Sequence, residues 1–191
     1  GPFSHALEYS IVKNITHEHL SSLFMKQLNK EFGGKLSLAI QIFEDKYEKH
    51  FLHQLISSQL DMDRMDYLKR DSFFTGVSEG VIGSDRIISM LNVHEGKLVI
   101  DAKGIYSVEK FIIARRLMYW QVYLHKTVLS AETLVVNILK RAKELANQGE
   151  ELFCTDALKY FLYQECDIDA FTRDIEVLNR FADLDDHDIT S

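Results

Sequence analysis

Proline occurs once, as Pro2, and glycine only nine times in 191 residues. Little in the chain can therefore interrupt a helix, and long helices are expected. Cysteine is almost as scarce. Cys154 and Cys166 are too few and wrongly spaced for a disulfide framework or a zinc knuckle, which suits a reducing cytoplasm. No apolar run reaches the roughly eighteen residues of a membrane span, and the N-terminus lacks the basic, apolar, small-residue order of a signal peptide. Cytoplasmic localisation without membrane attachment is the expectation. Positive charge is also in deficit, with 22 Lys and Arg against 29 Asp and Glu and a net charge of -7. General nucleic-acid binding is disfavoured, because neutralising phosphates needs a basic surface. Local clusters at Arg115-Arg116, His125-Lys126 and Lys140-Arg141 remain able to hold a small anion.

What is present reads as one folded domain over residues 1–191. Apolar residues make up 46% and charged ones 27%, an ordinary globular balance. The fold class expected is all-α with one small β-hairpin. Thr16 is placed to cap a helix through about Phe32, stopped by Gly33-Gly34. Two further helices are expected from Lys35 to Glu44 and from Tyr47 to Ser57, and Asp61 should cap another to about Phe74. Ile87 to Val93 and Lys97 to Asp101 flank His94-Glu95-Gly96 and read as a hairpin over residues 87–101. From Ser107 to Gln148 there is neither glycine nor proline, and so long a helix should break near Thr127 to Ser130. Thr155 to Glu165 and Asp169 to Asp183 complete the helices, followed by a frayed acidic end.

The most informative stretch is Asp61-Met-Asp-Arg-Met-Asp-Tyr-Leu-Lys-Arg-Asp71. On a helix, Asp63, Tyr67, Arg70 and Asp71 form one polar stripe while Met62, Met65 and Leu68 face a core. Pattern alone leaves two readings open, a solvated face with internal ion pairs or one wall of a site. A second stripe comprises Arg115, Tyr119, Tyr123 and Lys126, within about 80° of one another at the 100° helical step. Two cations and two phenols suit a polyphosphate and a stacked sugar or base, and equally suit an amphipathic edge with solvated cations. His50 and His53, three apart, read as surface or satisfied histidines. The His187-Asp188 pair reads as solvated tail.

The run Leu60 to Asp71 resembles the DxDRxDYxxRD signature of HD-domain phosphohydrolases of the deoxynucleoside-triphosphate triphosphohydrolase type. Gly1-Pro-Phe-Ser-His5, followed by Ala-Leu-Glu8, resembles the tail of that family's second motif, HDxGHGPFSHxxE. Gly1-Pro2 also fits a protease scar. By the resemblance the chain starts just after the His-Asp pair that names the family and is a fragment of a longer protein. Arg115, Tyr123, His125 and Lys126 match the family's RxxxxxxxYxHK stretch, where Tyr119 replaces the histidine of some members.

The resemblance implies metal-dependent hydrolysis of a dNTP to a deoxynucleoside and tripolyphosphate. The cofactor implied is a divalent transition metal or magnesium (Mn, Fe, Ni, Zn or Mg), with Asp63 as one ligand and no match for the other three. It further implies His17 with Glu8 as a proton-transfer pair and His5 as a phosphate ligand. Arg64 and Arg70 become phosphate or structural contacts, Tyr67 a platform for the deoxyribose and Asp71 the acceptor of its 3'-hydroxyl. Arg115 and Lys126 are expected at phosphates. The partner is a deoxynucleotide or another phosphorylated small molecule, and homo-oligomers are common in the family. Two alternatives stay open: an HD phosphatase acting on another nucleotide or phosphoester, and a non-catalytic nucleotide-binding or assembly module.

Overall fold

A computed structural model of the protein describes residues 16–185 and 187–190. It is mainly helical with a single two-stranded hairpin among the described residues. In chain order come α1 (His17–Glu31), α2 (Ser37–Phe43), α3 (His50–Ile56), α4 (Met62–Thr75) and α5 (Ser84–Ser89). The strands β1 (Leu91–His94) and β2 (Lys97–Ile100) follow, then α6 (Ile105–Met118), α7 (Lys126–Asn147), α8 (Asp156–Tyr163), α9 (Ile168–Arg173), α10 (Ile175–Ala182) and α11 (His187–Thr190). No described helix is long and apolar enough to cross a membrane.

Two compact units divide the chain, one running to Gly34 and resuming at Ser130, the other spanning Lys35–Leu129. In the first, Thr16 accepts from the His19 amide at 3.4 Å to start α1. Its core gathers Leu20, Leu139, Leu158, Phe161, Phe171, Val177 and Leu178. Phe161 stacks on Phe171 at 6.0 Å and 14°, and Phe181 meets both rings edge-on. The single helix expected from Asp169 to Asp183 is two. Asp174 is extended, with φ -123° and ψ 111°, and its carboxylate accepts from the Glu176 amide at 2.9 Å, restarting the chain as α10. Nor is the acidic terminus merely frayed: Asp188 accepts from the Thr155 hydroxyl and, at 2.7 Å, from the Asp185 amide.

The second unit packs Met65 and Leu68 of α4 against Phe111, Ala114 and Met118 of α6, with Ile82 and Ile87 closing the core. A 3-10 turn at Ser78–Gly80 lies against both helices. A Cβ on Gly80 would stand 2.7 Å from Ser72 Cβ and 2.8 Å from Met118 Sδ, so the lack of a side chain there sets this approach. The hairpin is antiparallel, pairing Leu91 with Ile100 and His94 with Lys97. Its two-residue turn puts Glu95 at φ 50° and Gly96 at φ 75°, as tight hairpins require. The strand expected from Ile87 begins four residues later. Ile87 to Ser89 are the end of α5, because Ile87 is fully buried in this core on a helical face.

The long-helix break also falls earlier than expected. Tyr119–Tyr123 form a π-helical turn in which the Leu124 amide bonds back to the Tyr119 carbonyl at 2.7 Å. The widened turn ends the run, and His125 Nδ1 accepts from the Thr127 amide at 3.3 Å as α7 begins. Thr127 to Ser130, where the break was expected, lie inside α7.

Candidate functional site

Helix α4 is anchored by its own capping residue. Asp61 is fully buried. Its Oδ1 accepts from the Arg64 amide at 2.7 Å and its Oδ2 from the Ser58 amide at 3.1 Å. The Arg64 guanidinium folds back to donate through Nη1 to the same carboxylate. A buried carboxylate is tolerated when it is both paired and hydrogen-bonded, as here.

Helix α6 and its π turn run beside α4 in the same chain direction. Arg115 Nη1 reaches Gln59 Oε1 at 3.4 Å, just ahead of α4. About two turns further along, Tyr67 meets Tyr123 edge-to-face, with ring centres 5.8 Å apart at 81°. Further still, the Tyr123 hydroxyl donates to Asp71 Oδ2 at 2.6 Å. Tyr119 packs on Tyr123 at 5.3 Å and 75°, and Arg115 lies over the Tyr119 ring at 5.7 Å. Three phenols, one carboxylate and one guanidinium thus share one surface of this unit.

The electrostatics fix what these phenols do. Burial pushes the Tyr67 phenol up, reinforced by Tyr119 and opposed by the charges of Arg115 and Arg64. Burial first, and then the hydrogen bond to Asp71, push Tyr123 up strongly. Both rings therefore stay neutral near pH 7 and act as hydrogen-bond donors and apolar faces, not as bases.

Tyr67, Asp71, Arg115, Tyr119 and Tyr123 come together. Asp63 sits in the first turn of α4, exposed and without a hydrogen bond or ion pair among the described residues. Arg70 pairs with Asp66 on the exposed face, and Lys126 starts α7 instead of continuing the Arg115 stripe on one α-helix. His17 belongs to the other unit, exposed and 3.1 Å from Glu18. His5 and Glu8 lie outside the described residues. His50 and His53 have separate partners, Asp45 at 2.8 Å and the Ile42 carbonyl at 3.0 Å.

No three His, Cys, Asp or Glu among the described residues gather where they could share an ion. Asp63 offers one carboxylate, and one carboxylate does not hold a catalytic transition metal. The described residues do not by themselves make a metal centre. Sequence reasoning missed Gln59 and the second role of Asp61. For Asp61 the signal was available, a carboxylate three residues before an arginine at a helix start.

Comparison with known proteins bears on this surface. Residues 82–175 match the HD associated region, which covers the hairpin, α6, the π turn and α7. A crystal structure of a phosphohydrolase from Bacteroides thetaiotaomicron superposes with a TM-score of 0.93 at 59% identity, over 99% of this chain and 47% of that one. The uncharacterized protein YwfO of Bacillus subtilis is 38% identical over 156 residues, 78% of this chain and 36% of YwfO. The deoxynucleoside triphosphate triphosphohydrolase SAMHD1 homolog of Dictyostelium discoideum is 24% identical over 169 residues, 80% of this chain and 33% of that protein. The chain thus spans between a third and a half of these relatives' length. The chain thus carries an HD associated region at residues 82–175 and is similar over most of its length to HD-domain phosphohydrolases.

Proposed function

We propose that the chain forms the nucleotide-holding wall of a metal-dependent phosphohydrolase that cleaves a deoxynucleoside triphosphate into a deoxynucleoside and tripolyphosphate. The observation that carries the reading is the Tyr67–Tyr123–Asp71 arrangement, two ring faces at 81° beside a carboxylate whose Oδ2 is taken by Tyr123. A deoxyribose laid on Tyr67 would put its 3'-hydroxyl at Asp71 Oδ1. A 2'-hydroxyl would press on the ring without a partner, at a cost of about 1–3 kcal/mol, or about tenfold to a hundredfold in selectivity.

Arg115, Arg64 and Lys126 would meet the phosphates, and positive charge fixed in place before the substrate arrives does most of the work in phosphoryl chemistry. Arg70 stands further out, held by Asp66. Tyr119 would border the sugar or base. His17 with Glu8 would move the proton and His5 would bind a phosphate, roles that rest on the family resemblance. Asp63 would contribute one ligand to a divalent ion, Mn, Fe, Ni, Zn or Mg. The relatives named phosphohydrolase and deoxynucleoside triphosphate triphosphohydrolase support the reaction class.

The test is hydrolysis of dGTP and GTP in the presence of Mn or Mg, with the phosphate product identified. Tripolyphosphate from dGTP, and a Tyr67→Ala variant whose deoxy-over-ribo preference falls about tenfold or more, are expected. Unchanged selectivity in that variant would sink the sugar assignment. Release of orthophosphate or pyrophosphate would favour the HD phosphatase reading. Tight nucleotide binding without turnover would favour a binding or assembly module.

A further inference from the structure

We propose that Asp61 is a positioning residue that aims the Arg64 guanidinium at a substrate phosphate. This rests on the nucleotide reading above and deepens it. A helix cap alone does not call for a buried carboxylate: α1 and α8 are capped by the hydroxyls of Thr16 and Thr155. Where Asp caps the other helices, at Asp167 and Asp174, it is exposed. Asp61 alone among these four Asp and Thr caps and itself is fully buried. Burying that charge is unfavourable unless a cation answers it, and a neutral cap would avoid the problem.

The two carboxylate oxygens divide the labour. Oδ1 caps the helix through the Arg64 amide. Oδ2 holds the Ser58 amide and the Arg64 side chain. A guanidinium that would otherwise extend into water is therefore folded back along α4. Its Nε is buried with no hydrogen-bond partner, so the pose is set by Asp61 and not by satisfying every donor. The side chain keeps 29% of its surface open, and Arg64 precedes Tyr67 by three residues on α4, a spacing that puts the two on one face of the helix. Arg64 thus stands beside the sugar platform with its orientation fixed and part of its surface available. An oriented guanidinium binds phosphate with less ordering cost than a free one.

The experiment compares Asp61→Asn, Asp61→Ser, Arg64→Gln and the Asp61→Asn/Arg64→Gln double variant with the wild type. Asn and Ser both keep a helix cap, and thermal melts verify that each variant folds. Binding of dGTP and of deoxyguanosine is measured for each, together with KM and kcat for dGTP. Both Asp61 variants should weaken dGTP binding and raise KM by about tenfold or more, the loss of one charged hydrogen bond. Deoxyguanosine, which has no phosphate, should bind as it does to wild type, and the double variant should be no worse than Arg64→Gln alone. Equal losses for nucleoside and nucleotide, additive losses in the double variant, or wild-type dGTP binding by both folded Asp61 variants would overturn the proposal. A wild type that binds neither dGTP nor tripolyphosphate would overturn the nucleotide reading itself, and this proposal with it.

Discussion

Replacing Tyr123 with Phe removes one hydroxyl from the centre of the tyrosine surface and leaves the ring contacts at 5.8 and 5.3 Å in place. The lost interaction is the 2.6 Å hydrogen bond to Asp71 Oδ2, which fixes the π turn against α4. A hydrogen bond to a charged acceptor contributes about 1.5–3 kcal/mol, and partial solvent access reduces this to about 1–2 kcal/mol. For a chain of this size that is a fall in Tm of roughly 2–8 °C. Asp71→Asn combined with Tyr123→Phe should show coupling of about 1 kcal/mol, since each substitution breaks the same bond.

The alkaline limb gives a second signature of the same bond. The Tyr123 phenol is raised from 10.0 in the folded protein, so the unfolded chain releases its proton first as pH climbs. The stabilisation is complete below the unfolded value and is lost progressively above about pH 10. Urea melts at pH 8 and pH 11 should show a steeper loss in wild type than in Tyr123→Phe, whose other titrating groups are unchanged. Equal stability at pH 8 together with equal alkaline slopes would refute the reasoning.

Other consequences are more local. Gly80→Ala should destabilise the protein by about 1–3 kcal/mol, because the new methyl meets Ser72 Cβ at 2.7 Å and the Leu68 carbonyl at 3.0 Å, and chemical denaturation measures it. The substitution should also weaken nucleotide binding, since it pushes apart the two helices that present the tyrosines. Phe161→Ala empties the centre of the other unit, where the ring is fully buried against Phe171 and Phe181. A loss of about 3–5 kcal/mol is expected in denaturant melts.

The chain itself determined its helical character and most of its helix starts. Thr16, Asp61 and Thr155 each stand where a side-chain oxygen can take an orphan amide, and this chemistry is local enough to read from neighbours three residues apart. Glu95-Gly96 between two apolar runs is likewise a local signal, though the apolar run from Ile87 could not declare where helix ended and strand began. The α4 stripe and the Arg115 to Tyr123 stripe were also legible as surfaces, because helical periodicity fixes which residues share a face.

Tertiary structure alone decided what those surfaces became. Periodicity does not reveal that α4 and α6 lie side by side in the same direction, and it is this pairing that brings Tyr123 to Asp71 and Arg115 to Gln59. The π turn was invisible for the same reason. A five-residue backbone bond at Tyr119 is unfavourable in isolation and persists where packing and the Tyr123 hydrogen bond hold it. Asp61 could be read as a cap, but its burial depends on every element that covers it. Burial is what turns a cap into the counter-charge that fixes Arg64.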